Sequence, residues 1–179
     1  QKLQTEYLDA FLVHWPGQDK ARMLDTWKAM EHLYKKGKVK SIGVCNFEIS
    51  QLTYLLEHCE IKPMIDQVEH TPLMHDEKLI SFCKENNIQI MSWGPLLRGN
   101  LENKKMEEIA EKYNKTTAQL LLRWNIQQGI IPIPKSKNEQ RLQQNIDVFD
   151  FEITKEDMEE LNHMNENHRT SFDPLTFDF

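Results

Sequence analysis

Apolar residues along the chain fall alternately into short runs and into longer stretches with helical spacing. Short apolar runs predict β-strands, and apolar residues that recur every three or four positions predict amphipathic helices. Five strands are predicted, at residues 8–13, 39–44, 64–68, 88–93 and 130–133. Helices are predicted at residues 25–36, 49–59, 76–86, 106–113, 117–127, 138–148 and 155–164. This alternation is typical of repeated βα units around a parallel sheet.

Residues at the predicted helix ends support these boundaries. Gly37 follows two lysines, and cations followed by glycine are typical of a helix C-terminus. Thr116 and Gln119 have the spacing of a capping box at a helix N-terminus, and Thr154 with Asp157 repeats that spacing at the last helix. The helices therefore have identifiable ends as well as apolar faces.

The βα pattern favours one class of α/β fold. No Gly-x-Gly-x-x-Gly follows any predicted strand, so a Rossmann dinucleotide fold has no support. A TIM barrel fits the pattern, but it needs eight strands and only five are predicted here. Five parallel strands leave two open edges with unpaired backbone groups. We expect these edges to be covered by a further part of the same polypeptide or by another chain.

Composition limits the possible partners and the location. The chain has 179 residues and a mass of 21.3 kDa, which suits one domain spanning residues 1–179. A net charge of −6 argues against a nucleic-acid partner. Cys45, Cys59 and Cys83 include no Cys-x-x-Cys pair, which favours a reducing cytoplasm. No membrane span or signal peptide is recognisable, and a start inside a strand pattern suggests a truncated chain.

The strand predicted at residues 130–133 is expected to be buried, and it leads directly into a helix with a basic first turn. Ser136 and Glu139 have the S-x-x-E form of a capping box, which predicts free backbone N–H groups beside Lys135 and Arg141. Such a helix start with two cations suits a phosphate monoester. The alternative is that Ser136 only caps the helix and the cations face solvent. This segment alone leaves the two interpretations equally open.

Five segments occur in the order and register of one enzyme family. They are Leu-Asp-Ala-Phe-Leu-Val-His-Trp-Pro at 8–16, Gly-Lys-Val-Lys-Ser-Ile-Gly-Val-Cys-Asn-Phe at 37–47, Gln-Val-Glu at 67–69, Ser-Trp-Gly-Pro-Leu at 92–96, and Pro-Lys-Ser at 134–136 with Arg141 and Asn145. On these segments the chain resembles the C-terminal portion of an aldo-keto reductase. The resemblance implies a TIM (β/α)8 barrel, of which the chain holds the last five βα units, the C-terminal helix and the tail. The family's first half, which brings its catalytic Tyr, Lys and Asp, is absent.

His14 is the candidate catalytic residue. It ends the first predicted strand, and TIM-barrel enzymes place reactive groups at the C-terminal ends of their strands. An isolated histidine there would more often be a packing residue. The resemblance implies that His14 hydrogen-bonds the substrate carbonyl and that Trp15 lines the substrate pocket. No tyrosine of this chain matches the family's proton donor; those present are Tyr7, Tyr34, Tyr54 and Tyr113.

The resemblance also implies NADPH as the cofactor. It assigns the nicotinamide carboxamide to Cys45, Asn46 and Gln67, with Cys45 where the family usually has Ser. It places Trp93 against the nicotinamide ring, although a tryptophan there could also be a core residue. The residues assigned to the pyrophosphate are Gly94, Leu96 and Arg98. Those assigned to the adenosine 2'-phosphate and the adenine are Lys135, Ser136, Arg141, Gln144 and Asn145.

Three functions are open at this point. The first is NADPH-dependent reduction of a small-molecule aldehyde or ketone by a barrel that the missing half completes. The second is a catalytically inactive, truncated dinucleotide-binding module, and the third is an assembly module whose edges pair with a second copy. His70 and His75 flank a Pro72 loop, but no metal motif includes them and no metal site is predicted.

Overall fold

The structure, a computed structural model, describes residues 4–178. Its strands are β1 Phe11–Val13, β2 Ile42–Cys45, β3 Ile65–Glu69, β4 Gln89–Trp93 and β5 Ile131–Pro132. Its α-helices are α1 Lys20–Lys35, α2 Ile49–His58, α3 Glu77–Glu85, α4 Lys104–Lys112, α5 Thr117–Gln127, α6 Glu139–Ile146 and α7 Lys155–Asn162. A short 3-10 turn at Leu97–Gly99 follows β4. None of the helices in residues 4–178 is long and apolar enough to cross a membrane.

The strands form one five-stranded sheet in chain order. Strands β1 and β2 pair in parallel with Phe11 opposite Ile42, and β4 and β5 pair in parallel with Met91 opposite Ile131. The predicted α/β fold with a parallel five-stranded sheet is therefore confirmed. The strands are shorter than predicted at their N-terminal ends. Leu8, for example, makes only an isolated bridge to Val39.

The chain divides into two compact units. Unit 1 comprises Gln1–Val68, Glu77–Ile90 and Thr170–Phe179, and unit 2 comprises Glu69–Asp76 and Met91–Arg169. The C-terminal tail thus belongs to unit 1, whereas α4 to α7 belong to unit 2. The two units carry different sets of the predicted site residues.

Unit 1 is built around the buried face of α1. The helix begins five residues earlier than predicted, because the Asp19 side chain caps it by accepting hydrogen bonds from the backbone N–H groups of Ala21 and Arg22. Its fully buried Trp27 donates from the indole N–H to the Ile61 carbonyl at 2.9 Å. Burial of a large apolar side chain of this kind contributes roughly 1.5–3 kcal/mol.

Gly43 in β2 marks a close approach between strands of unit 1. A Cβ added there would lie 2.5 Å from the Ile65 carbonyl oxygen and 2.7 Å from a methyl carbon of Leu12. These distances are shorter than real Cβ contacts, so only glycine fits without a shift of the backbone. The glycine therefore keeps β2 close to β3 just before the strand ends at Cys45.

Unit 2 has a core formed by the helices that follow β4. Its fully buried members include Met106, Leu120, Leu121, Trp124 and Leu161. The predicted capping box of α5 is confirmed, since Thr116 Oγ1 accepts from the Gln119 N–H and the Gln119 side chain accepts from the Thr116 N–H. These caps fix where α5 begins, and the first turn of α5 borders the cavity described next.

Candidate functional site

A cavity of about 670 Å³ lies in unit 2. Its walls come from the loop after β4, the first turn of α5 and the segment from β5 into α6. Eight of the residues predicted to bind a dinucleotide line it together: Gly94, Leu96, Arg98, Lys135, Ser136, Arg141, Gln144 and Asn145. The first turn of α5, which sequence reasoning did not assign to the site, also borders it through Thr116, Thr117 and Ala118.

The start of α6 differs from the prediction. Asn138, not Ser136, is the N-cap, and its Oδ1 accepts from the Arg141 backbone N–H at 3.0 Å. The predicted capping box between Ser136 and Glu139 is wrong because the Asn138 side chain reaches the third helical N–H and takes that role. The Ser136 hydroxyl instead accepts from the Asn138 N–H at 3.1 Å. Ser136 therefore lies in the loop before the helix, where it lines the cavity.

Three cationic side chains, Arg98, Lys135 and Arg141, and two carboxylates, Glu102 and Glu107, line this cavity. Lys135 and Arg141 are exposed, and neither forms a salt bridge with any residue in the range 4–178. The Asn145 amide nitrogen is buried without a hydrogen-bond partner. A buried unpaired donor costs about 1–3 kcal/mol, and a ligand acceptor would offset that cost. The cations and the amide together suit an anionic ligand that also carries hydrogen-bond acceptors.

The loop after β4 holds two non-glycine residues in the left-handed region. Leu97 has φ 51° and Arg98 has φ 54°. Leu97 is buried in the core of unit 2, which holds the turn in place. The Arg98 guanidinium then lies over the Trp93 ring, 5.5 Å from the ring centroid. Left-handed non-glycine residues cost about 1–3 kcal/mol each and tend to occur at functional sites.

Next to this cavity lies an exposed apolar groove of about 550 Å³, formed by residues of α5, β5 and α6. The prediction that residues 130–133 form a buried strand is wrong for two of its isoleucines. Ile130 is 3% exposed, but Ile131 is 46% and Ile133 is 38% exposed. Burial of those side chains requires a neighbour on the outer side of β5, and the described part of the chain supplies none. Other apolar side chains exposed at the groove are Leu142, Ile146 and Phe149.

In unit 1 the ends of β1, β2 and β3 bring together four further predicted residues, His14, Cys45, Asn46 and Gln67. Asn46, in the left-handed region with φ 60°, donates from Nδ2 to the His14 carbonyl at 3.1 Å. Its backbone N–H donates to the Gln67 carbonyl at 3.0 Å. The neighbouring Cys45 is 5% exposed, and burial, reinforced by Asp66, raises the pKa of its thiol to about 12. The thiol is thus un-ionised and can act only as a weak hydrogen-bond donor.

Asp66 carries a buried carboxyl group that sequence reasoning missed. It is fully buried, and neither carboxyl oxygen makes a hydrogen bond of ordinary geometry. Burial raises the pKa of Asp66 well above its usual 3.8, and the backbone N–H of Phe47 opposes this only in part. The position follows from strand alternation, since Asp66 and Gln67 point to opposite faces of β3. Burial therefore favours the protonated form of Asp66, which directly precedes Gln67 in β3.

His70, in unit 2, was also missed as a structural group. Its Nδ1 lies 2.9 Å from Asn125 Oδ1, and its ring stacks on Trp124 with centroids 4.5 Å apart. The Asn125 amide nitrogen donates to the Leu121 carbonyl, so His70 Nδ1 carries the proton toward Asn125. Burial lowers the pKa of His70 to about 3. Within residues 4–178, no three His, Cys, Asp or Glu side chains are grouped to hold a metal ion.

Comparisons with known proteins agree on one family. Residues 1–166 match the aldo/keto reductase family. The chain is 46% identical over 175 residues to glyoxal reductase of Bacillus subtilis, covering 97% of this chain and 63% of that protein. It is 38% identical over 180 residues to methylglyoxal reductase DkgA of Escherichia coli, covering 99% of this chain and 66% of that protein. An aldo-keto reductase of Bombyx mori in complex with NADP superposes with a TM-score of 0.86 at 36% identity, over 94% of this chain and 62% of that one.

Proposed function

Because the chain belongs to the aldo-keto reductase family, we propose that it forms part of an NADPH-dependent oxidoreductase that reduces small aldehydes or ketones to alcohols. The observation that carries this proposal is the unit 2 cavity, which gathers Lys135, Ser136, Arg141 and Asn145. The chain spans less than two thirds of the length of glyoxal reductase. The activity is therefore that of a complete barrel to which this chain contributes its cofactor-binding part.

The residues of the cavity fit the phosphate-bearing end of the cofactor. Lys135, Ser136 and Arg141 would hold the adenosine 2'-phosphate, since a point charge, a hydroxyl and a planar fork together match a dianion. The unpartnered amide nitrogen of Asn145 would donate to an acceptor on the adenine side of the cofactor, with Gln144 beside it. Gly94, Leu96 and Arg98 would hold the pyrophosphate. The Arg98 guanidinium lies over the Trp93 ring, so this cation is already held beside the end of β4.

In unit 1, Cys45, Asn46 and Gln67 would hold the nicotinamide carboxamide. In unit 2, Trp93 would offer an aromatic ring for stacking. When bound, the cofactor supplies the hydride. His14 has an exposed side chain at the end of β1 and would hydrogen-bond the carbonyl oxygen of the substrate. Asn46 fixes the backbone of His14 through its bond to the His14 carbonyl. Orientation of the carbonyl relative to the hydride is the main contribution that these residues would make.

The proton for the alcohol comes from outside this chain. No tyrosine of residues 4–178 matches the family's proton donor, so we propose that further βα units would supply it. Those units, from the same polypeptide or a second chain, would also cover the apolar groove and the outer edge of β5. Without that cover, the groove should drive self-association, which sedimentation at several concentrations would detect. A concentration-independent monomer would contradict this part of the proposal.

Small α-oxoaldehydes are the proposed substrates. The support comes from relatives named glyoxal reductase and methylglyoxal reductase. The test is NADPH oxidation with methylglyoxal by residues 1–179 alone and after addition of the missing βα units. The chain alone should show no aldehyde-dependent oxidation, because a general acid contributes about 10²–10⁴-fold and is absent. Oxidation should appear after addition.

An inactive dinucleotide-binding module is the second candidate, and the named relatives give it no support. It would bind NADPH yet stay inactive after the missing units are added. Turnover by the reconstituted barrel, lost in His14→Ala, would exclude it. Turnover that His14→Ala leaves unchanged would show that His14 has been assigned the wrong role.

A further inference from the structure

A buried carboxyl group without a charged partner lies in β3, next to one of the residues that would hold the nicotinamide carboxamide. Asp66 is 0% exposed, and neither carboxyl oxygen makes a hydrogen bond of ordinary geometry within residues 4–178. No lysine or arginine is among the groups that shift its pKa. Ionisation of such a group is costly, because burial removes its water and no opposite charge replaces it. Asp66 therefore becomes an anion in the folded protein only at high pH or when a positive charge arrives nearby.

The strand that carries Asp66 is joined directly to the end of β2. In their parallel pairing, Asp66 lies opposite Val44 and Gln67 lies opposite Cys45. The Asn46 N–H donates to the Gln67 carbonyl at 3.0 Å, which holds the two strand ends together. A group held by Cys45, Asn46 and Gln67 is therefore held by residues that adjoin Asp66 along β3 and across the β2–β3 pairing.

Three other titratable side chains act on Asp66 or are acted on by it. Cys45 of β2 and Cys83 of α3 are buried thiols, and burial together with the charge of Asp66 raises the pKa of both, that of Cys45 to about 12. These thiols are therefore un-ionised near neutral pH. Glu48, which precedes α2, raises the pKa of Asp66 further through its negative charge. None of the three supplies a positive charge, so Asp66 is the group that titrates when a cation arrives.

The two redox forms of a nicotinamide cofactor differ in charge at the ring. The oxidised ring carries one positive charge that the reduced ring lacks, whereas the phosphates of the two forms are the same. A cation near a buried carboxyl favours the ionised form of that carboxyl. Unit charges about 10 Å apart at the effective dielectric of a protein change an equilibrium constant about tenfold. A buried carboxyl next to the carboxamide site therefore responds to one form of the cofactor and not to the other.

We propose that Asp66 is a specificity-determining residue through which the carboxamide site distinguishes the oxidised from the reduced cofactor. The proposal rests on the proposed function, because it requires a nicotinamide cofactor at Cys45, Asn46 and Gln67. On binding of NADP⁺ the O–H bond of the Asp66 carboxyl breaks, its proton passes to solvent, and the carboxylate that remains attracts the positive ring. Binding of NADPH releases no proton from Asp66. The affinity for NADP⁺ relative to NADPH therefore rises with pH as ionisation of Asp66 becomes easier.

The decisive variant is Asp66→Asn. Asparagine has nearly the shape of aspartic acid and is neutral at every pH, so it keeps the packing of β3 and removes the titration. The matched control is Glu57→Gln, which removes an exposed carboxylate from α2 in the same unit. Both changes lower the negative charge of the chain by one, so a difference between them reports the place of the carboxyl and not the net charge.

The first readout is the infrared spectrum of residues 1–179 at pH 7.5, which needs no cofactor. A protonated carboxyl has a C=O stretching band that a carboxylate lacks. The wild type and Glu57→Gln should show this band, and Asp66→Asn should lack it. Absence of the band from the wild type would show that Asp66 is already ionised, and the proposal would be overturned before any cofactor is added.

The second readout is calorimetric titration of residues 1–179 with NADP⁺ and with NADPH between pH 7.5 and pH 9.5. Histidines of ordinary pKa are neutral in this range and the phosphates of both cofactors are ionised, so the ratio of the two affinities isolates the ring charge. In the wild type and in Glu57→Gln the affinity for NADP⁺ relative to NADPH should rise roughly 3- to 10-fold. In Asp66→Asn the ratio should stay constant. Repetition in two buffers of different ionisation enthalpy should show proton release with NADP⁺ only when Asp66 is present.

The outcomes separate this inference from the proposed function. If the wild type binds both cofactors with a ratio that does not change with pH, the proposed function stands and the role of Asp66 is refuted. An equal rise in the wild type and in Asp66→Asn would assign the titration to another group and would also refute it. If the wild type binds neither cofactor, the proposed function fails, and the inference fails with it.

Discussion

Acidification should destabilise unit 2 through His70. The imidazole is 1% exposed, it donates to Asn125 and it stacks on Trp124, so the fold accommodates only its neutral form. Burial lowers the pKa of His70 to about 3, against 6.5 in an unfolded chain. A group whose folded-state pKa is lowered in this way binds a proton more readily in the unfolded chain. Stability is therefore complete above pH 6.5 and is lost as the pH falls toward 3.

The size of the effect follows from the two pKa values. Each pH unit between them is worth about 1.4 kcal/mol, so the full loss is roughly 5 kcal/mol. Between pH 7 and pH 5 the loss from this group alone should be about 2 kcal/mol. That amount is large compared with a total stability of about 5–15 kcal/mol.

The assay is urea unfolding at pH 7, 6 and 5, followed by tryptophan fluorescence, on wild type and His70→Phe. Phenylalanine keeps the stack on Trp124 and removes the titration. It should cost about 1–3 kcal/mol at pH 7, because Asn125 Oδ1 loses its donor, but it should flatten the pH dependence. His168→Gln, at an exposed histidine, is the control and should keep the wild-type slope. Equal slopes for wild type and His70→Phe would refute the reasoning.

Three further changes test separate parts of the fold, each by urea unfolding. Gly43→Ala should cost about 1–3 kcal/mol, because the new Cβ would lie 2.5 Å from the Ile65 carbonyl, and wild-type stability would contradict that contact. Asp66→Asn should stabilise the protein increasingly from pH 4 to pH 7. Burial raises the pKa of Asp66 in the folded protein, so the wild type loses stability as the carboxyl of the unfolded chain ionises, whereas asparagine does not titrate. A difference in unfolding free energy between variant and wild type that stays constant with pH would contradict the raised pKa. Tyr113→Phe should cost about 1–3 kcal/mol by removing the 2.5 Å hydrogen bond to Asp157, and no loss would mean that this bond contributes nothing.

The sequence was most informative where a short-range pattern decides the structure. The Thr116 and Gln119 box was predicted and is confirmed, because both partners lie within one helical turn and each satisfies the other's backbone N–H. The same reasoning failed at Ser136, where Asn138 lies closer to the helix and caps it instead. Two candidate caps within three residues cannot be ranked from spacing alone. The cavity residues from Lys135 to Asn145 were nevertheless identified, because their order matches a family motif.

Features that depend on distant partners could not be predicted. In the sequence, Asp66 is an ordinary polar residue within a predicted strand and His70 an ordinary polar residue after it, and only the packed structure shows that they are buried. Leu97 and Arg98 carry no turn signal, yet both adopt positive φ, since the burial of Leu97 outweighs the local strain. The hydrogen bonds from the Gln18 side chain to the Phe177 carbonyl and from the Gln51 side chain to the Pro174 carbonyl join residues more than a hundred positions apart. Such long-range pairs leave no periodic pattern in a single sequence.

The central claim is that the unit 2 cavity recognises a 2'-phosphate. Two charge-assisted contacts, at Lys135 and Arg141, are each worth roughly 1.5–3 kcal/mol. Since about 1.4 kcal/mol is a factor of ten, NADPH should bind about 10² or more tighter than NADH, and the difference should shrink as salt is added. Lys137→Ala is the control for the loss of one positive charge near the site. Lys137 is an exposed neighbouring cation that does not line the cavity.

The most direct test is fluorescence titration of wild type, Arg141→Ala and Lys137→Ala with NADPH and with NADH. The account predicts that Arg141→Ala weakens NADPH binding by at least about tenfold and leaves NADH binding nearly unchanged, because NADH has no phosphate at that position. Lys137→Ala should change either affinity only slightly. If Arg141→Ala weakens both cofactors equally, Arg141 is a packing residue and the cavity is not a 2'-phosphate site.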